Sequence, residues 1–177
     1  VLPYTLCFMD RVVSVTIEDN RNGNHSYKIE RKSQTENQLS FSVMKDGCLE
    51  ELDFAVFCYN DTSTAFQYQE NHIMPYPEGM SRMFCGLPLV GMENIGMPFI
   101  LNSLEFEPEQ ERDGIAFDPT ANPENLKILK DSVHLYEIVL DYVEKNKLRN
   151  AYHLTKMAKR YNGSQTSRTK FCEVGIE

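Results

Sequence analysis

The period of the apolar residues switches once along this chain, and the switch confines the fold to strands first and helices after. Residues 38–44 place Leu39, Phe41 and Val43 at every second position, the repeat of a strand with one buried face. Residues 11–18 repeat the pattern, with Val13, Val15 and Ile17 alternating with Ser14, Thr16 and Glu18, and predict another strand with a buried face. Residues 4–9, rich in aromatic and β-branched side chains, read as a strand before it. The polar cluster at 20–24 is turn chemistry, and 26–31 is the returning strand. Asp46-Gly47 is a hairpin signal, and strands at 52–59 and 64–69 flank an Asn60-Asp61 turn. The first eighty residues therefore predict a meander of about six strands.

Beyond residue 119 the spacing becomes helical. Asn122-Pro123-Glu124 reads as an N-cap, a proline in the first turn and an acid that suits the positive end of the helix dipole. Leu126, Leu129, Val133, Tyr136, Leu140 and Val143 follow at intervals of three and four, widened by Ile128, Leu135, Ile138, Val139 and Tyr142. Leu129, Val133, Tyr136 and Leu140 are the expected packing face. A second helix is predicted over 148–161, with Leu148, Ala151, Tyr152, Thr155 and Ala158 on one face and Asn162-Gly163 as its stop. The expected fold is a single α+β domain over residues 1–163, a largely antiparallel sheet covered on one face by C-terminal helices. Residues 164–177 read as a flexible tail or the start of a further segment.

A formal charge of −8 argues against a nucleic-acid backbone as partner, because phosphate binding needs a surplus of cations on some face. The nearest approach is the basic group Lys156, Lys159, Arg160, Arg168 and Lys170. Five scattered cysteines, with no C-x-x-C pair and no histidine at ligand spacing, signal neither zinc nor a disulfide framework. That usage predicts a cytoplasmic setting. No run is apolar for long enough to span a bilayer, so no membrane partner is expected. The N-x-[ST] triplets at Asn24, Asn60 and Asn162 read as chance matches. A chain that starts at Val1 is what an excised piece of a longer protein, or a trimmed one, would show.

Residues 81–118 fit neither period. Gly86, Gly91 and Gly96 with Pro88, Pro98 and Pro108 dictate particular backbone paths, the mark of a functional loop. Gly86 and Gly91 have P-loop spacing, but Met92 and Glu93 occupy the places of the lysine and hydroxyl that grip phosphate, which leaves a strand entering a tight turn. Glu105, Glu107, Glu109 and Glu111 alternate and would share one face of an extended segment, either solvated or holding a hard cation. His25, His72, His134 and His153 stand apart from any nucleophile motif. The methionines at 80, 83, 92 and 97 either fill an irregular core or line an adaptable surface. Between Glu105 and Asp118 the single cation is Arg112. It is either a structural ion-pair residue or a guanidinium offered to an anion such as phosphate.

The run PFILNSLEFEPEQERDGI followed by a long apolar helix resembles the GHKL ATPases, in particular their sacsin-like and heat-shock-chaperone-like bacterial members, in the α+β domain that follows the ATPase domain. Residues 2–17 resemble the strands that open that domain. By the resemblance, Leu101 and Asn102 match a strand end and Arg112 matches the arginine that reaches the ATP γ-phosphate, although nine residues separate Asn102 from Arg112. The family's Mg²⁺-binding Glu and Asn, its Asp-x-Gly-x-Gly site and its glycine-rich lid are missing from the sequence. The resemblance therefore implies no cofactor bound by this chain itself. It implies ATP and Mg²⁺ in the full-length protein, an N-terminal ATP-binding domain of the same polypeptide as partner, and a protein client. Two other classes stand beside it: a non-catalytic interaction module using the exposed sheet or the Met-rich loop 80–97, and a hydrolase built on Glu111 and Asp113.

Overall fold

The computed structural model describes residues 1–19, 21, 25–95, 97–109, 114, 115, 120 and 122–155. It is an α+β arrangement in which helix α1 (Leu2–Cys7) precedes five consecutive antiparallel strands: β1 (Ser14–Asp19), β2 (His25–Gln34), β3 (Gln38–Lys45), β4 (Cys48–Tyr59) and β5 (Thr62–Gln69). Short strands follow: β6 (His72–Ile73), β7 (Met83–Cys85), β8 (Leu87–Pro88) and β9 (Leu101–Asn102); the long helix α2 (Pro123–Lys145) comes after them. Across the sheet the order is β1-β2-β3-β4-β5-β9-β7-β8, with β6 beside β5. Only the β7–β9 pair is parallel among the described strands.

The hairpins form where the turn chemistry predicts. At Asp46-Gly47 both residues have positive φ, 49° and 85°, as a turn matched to strand twist requires. The Asp46 carboxylate accepts the Ser26 N–H at 3.0 Å and faces the His25 imidazole at 3.2 Å, contacts that hold it below its usual range. Asn60 likewise has positive φ. Leu39, Phe41 and Val43 are buried while Gln38 and Met44 are exposed, so the alternation in β3 marks a core face as expected.

Residues 4–9 do not make a strand. Leu2–Cys7 is helical, with proline in its first turn and the Thr5 hydroxyl and Cys7 thiol donating back to the carbonyls of Val1 and Pro3. Tyr4, Thr5, Leu6 and Cys7 are all buried, so the aromatic and β-branched composition that suggested a strand belongs to a short helix sunk in the core. Tyr4 packs edge-on against Phe54, and Phe8 against Phe84. The Arg31 guanidinium donates to the carbonyls of Leu6 and Met9 at 2.9 and 3.0 Å and so closes the C-terminal end of α1.

The prediction that helices cover a single face also needs correction. Phe54 and Phe57 lie on β4 an odd number of residues apart and so point to opposite faces. Phe54 meets Tyr4 of α1, whereas Phe57 meets Tyr142 of α2. The sheet therefore lies between two helices, and one of them comes before every strand. Val13 and Ile17 are 64% and 50% exposed because β1 is an edge strand beyond the cover of α1. Their alternation is real but half of it faces solvent.

On α2 the buried residues are Asn125, Ile128, Leu129, Ser132, Leu135, Val139 and Val143. Leu129 belongs to this stripe as expected, but Leu140 is 37% exposed and Val133 and Tyr136 lie at its margins. An apolar arc wider than the contact allowed the stripe to be placed too far round the helix. Of the predicted helix over 148–161, Ala151–Leu154 forms a single 3-10 turn that buries Leu154 and leaves Tyr152 exposed. Residues 156–177, including 164–177, lie outside the described residues.

Burial raises the phenols of Tyr4 and Tyr76 above their ordinary value of 10.0 and the thiol of Cys7 above 9.0. Each group is thus held protonated in the fold. Its contribution to stability is complete below the ordinary value and is lost as pH rises toward the folded one. The melting temperature should fall progressively above about pH 9. A melting temperature constant from pH 8 to 11 would show that these groups are not sequestered.

Candidate functional site

The segment 81–118 is woven into the sheet by strand β9. Leu101 and Asn102 are both buried, with Asn102 opposite Ser63 of β5 and Leu101 parallel to Met83 of β7. The Asn102 side chain fastens three strands. Its oxygen accepts the Gly86 N–H at 2.9 Å in the β7–β8 turn, and its amide donates to Ser63 Oγ at 3.0 Å. Gly86 has φ 71°, a left-handed conformation that favours glycine; a Cβ there would also press on the exposed Leu104 side chain at 3.0 Å. The Gly86–Gly91 spacing therefore serves a hairpin and a three-residue 3-10 turn, Met92–Asn94.

Met80, Met83, Met92 and Met97 are all buried. They fill the irregular core under this segment, which is the first of the two roles open to them.

The link after β9 is fixed at both ends. Phe106 is buried, and the buried Asn125 in the first turn of α2 grips the next residue twice. Its oxygen accepts the Glu107 N–H at 2.9 Å, and its amide donates to the Glu107 carbonyl at 3.1 Å. Asn122 does not cap α2 with its side chain; its amide donates to the Glu107 carboxylate at 2.7 Å instead. Pro108 bridges to the buried Ile115, and the Glu109 N–H donates to the Gly114 carbonyl at 2.9 Å. Glu109 and Gly114 are thus drawn together, and the chain between them contains Arg112. Glu111, Arg112 and Asp113 lie outside the described residues, as does Asp118. Glu105, Glu107 and Glu109 are exposed, and no cluster of three His, Cys, Asp or Glu suited to a metal occurs among the described residues.

Sequence reasoning missed Asn125. A polar residue three and four positions before Ile128 and Leu129 sits on the buried stripe, and a side-chain amide in that place signals a clamp on a main chain. Of the histidines, His25 faces Asp46, and His134 pairs with Glu137 at 3.0 Å and stacks edge-on against Tyr59.

A cleft of about 190 Å³ opens beside α1, lined by Cys7, Phe8, Asp10, Glu36, Cys58 and Ser63 among others. Its thiols do not suit nucleophilic work. Burial raises Cys7 despite the nearby Arg31, and burial together with the Asp10 charge raises Cys58, so both resist forming the reactive thiolate. None of the described cysteines, Cys7, Cys48, Cys58 and Cys85, is in a disulfide. No described helix is long and apolar enough to cross a membrane.

Comparison with protein-family models, with curated proteins and with solved structures gave no match.

Proposed function

We propose that this chain is the post-ATPase domain of a cytoplasmic GHKL-type, chaperone-like ATPase, and that Arg112 supplies a guanidinium to the ATP γ-phosphate held by a preceding domain of the same polypeptide. The observation that carries this reading is the fastening of the chain on both sides of Arg112. Asn125 anchors Glu107 to the start of α2, and Glu109 pairs with Gly114. An arginine that acts on a remote anion must be presented from a rigid base, since loss of orientation removes most of its electrostatic benefit. ATP and Mg²⁺ belong to the partner domain in this scheme. The contribution of this chain is to hold one positive charge at a defined place and to couple its engagement to closure of the two domains on one another.

In the full-length protein, Arg112→Ala should lower ATP turnover at least about tenfold while leaving nucleotide affinity nearly unchanged, because the guanidinium is assigned to charge that develops during transfer. Steady-state hydrolysis and nucleotide titration of wild type, Arg112→Ala and Arg112→Lys measure both quantities. Unchanged turnover in the two variants, together with reduced folding stability, would make Arg112 an ion-pair residue and end the proposal.

A second reading, a non-catalytic interaction module, is favoured by the uncovered end of the sheet, where Val13, Ile17 and Leu49 are exposed. On that reading the contact is made by the sheet, because the methionines of 80–97 face the core.

A further inference from the structure

The cleft beside α1 has two fixed walls. One is the end of α1 with Cys7, Phe8 and Asp10, and the other is the β2–β3 turn with Gln34, Thr35 and Glu36. The turn is closed by the Thr35 N–H on the Gln38 carbonyl at 2.8 Å and clipped to β4 by the Val56 N–H on the Asn37 carbonyl at 3.1 Å. Arg31 ties the walls together: besides the carbonyls of Leu6 and Met9, its guanidinium donates to the Gln34 side-chain oxygen at 2.6 Å. The opening is therefore pre-formed, as small-molecule sites usually are. Buried Cys7 and Leu39 with half-buried Phe8 and Val56 give it an apolar interior, and the exposed Asp10 and Glu36 stand at its mouth. None of the described lining residues is Lys, Arg or His. Arg31 lies behind them, its side chain 10% exposed, with Nη1 3.9 Å from the Asp10 carboxylate. Two carboxylates against one guanidinium leave an excess of one negative charge. Burial, and then the Asp10 charge, raises the Cys58 thiol in the wall, so that charge is felt within the cleft.

We propose that this cleft binds a small organic monocation, a primary ammonium on a compact apolar body, with the ammonium at the mouth against Asp10 and Glu36 and the body against Phe8, Leu39 and Val56. The volume sets the size. A cavity of about 150 Å³ takes benzene, so about 190 Å³ takes a ring with a short amine-bearing chain. An ammonium brings three donors to carboxylates that only accept, and its apolar body removes the interior surface from water. A carboxylate or phosphate ligand would meet like charge at the mouth. A wholly apolar one would strip water from the carboxylates and leave them unpaired. A bare divalent cation needs more oxygen ligands than two, and no cluster of three suited to a metal occurs among the described residues. The site is independent of the role assigned to Arg112.

Titration of the isotope-labelled 177-residue chain with phenethylammonium, followed by NMR, tests this. Saturable shifts are expected at residues 7–10, 34–39 and 56–58, with a Kd in the millimolar range or tighter. Phenethyl alcohol, the same body without the charge, should bind at least about fivefold more weakly. Hydrocinnamate, an anion of similar shape, should give no saturable shift. Asp10→Asn combined with Glu36→Gln removes both charges at exposed positions and should raise the Kd for phenethylammonium at least about fivefold. The same spectra show whether the variant is folded. No saturable shift with phenethylammonium, shifts centred elsewhere in the chain, equal binding of the alcohol, or a Kd unchanged in the folded double variant would each overturn the proposal.

Discussion

Leu135→Ala will cost about 2–5 kcal/mol of unfolding free energy, whereas Leu140→Ala, on the same helix, will cost less than about 1 kcal/mol. Leu135 is fully buried in the stripe of α2 that meets β4 and β5, and Leu140 is 37% exposed. Five residues of helix separate the two, which turns their side chains about 140° apart. Deleting the first leaves a cavity between two packed layers, and deleting the second removes surface that water already reaches. Chemical denaturation of both variants gives the comparison. Equal losses would mean that α2 is rotated on the sheet and that the aromatic contacts of Tyr142 and Tyr136 with Phe57 and Phe99 are incorrectly placed.

Asn125→Ala should be comparably costly for a different reason. It deletes the partner of two main-chain groups of Glu107. Stranding groups of that kind costs about 1–3 kcal/mol each, and the total here should be about 2–4 kcal/mol. The change should also loosen the chain that carries Arg112. Trypsin cleavage after Arg112 should accelerate, and amide exchange at Glu107 should approach that of an open chain. Asn125→Asp keeps the acceptor but loses the donor, so it should fall between the two. Cleavage and exchange rates equal to wild type in Asn125→Ala would show that Asn125 does not anchor the link.

Those two variants also mark what could be read in the sequence and what could not. The alternation of Leu39, Phe41 and Val43 and the Asp46-Gly47 turn are local facts, and β3 and its hairpin appear where the pattern puts them. At residues 4–9 only composition pointed to a strand, and over so short a run aromatic and β-branched side chains do not separate a short buried helix from a strand. Val13 and Ile17 show a different limit. A period gives the two faces of a strand but not whether a neighbouring layer reaches them. On α2 the apolar arc was broad, so its contact line depended on the sheet beneath it. The candidate site was partly legible: the glycines and prolines of 81–118 marked an unusual path, and Gly86 takes the left-handed turn there. Its fastenings, Asn102 to Ser63 and Asn125 to Glu107, join residues 39 and 18 positions apart; Asn125 shows as an amide on the apolar stripe of α2, but its partner cannot be read from the local pattern.

The strand order has a kinetic consequence. Among themselves, strands β1 to β5 pair in sequence order through short connections, so each hairpin closes at small entropic cost. Strand β9 must instead travel back across a long excursion and insert between β5 and β7, parallel to the latter, where its two residues gain little until Asn102 finds both Ser63 and Gly86. The meander is thus the natural nucleus and the β7–β9 region a late arrival. By the same reasoning the late part opens first under native conditions. The amides of β7 and β9 should therefore exchange sooner than those of the meander, without unfolding of β1 to β5.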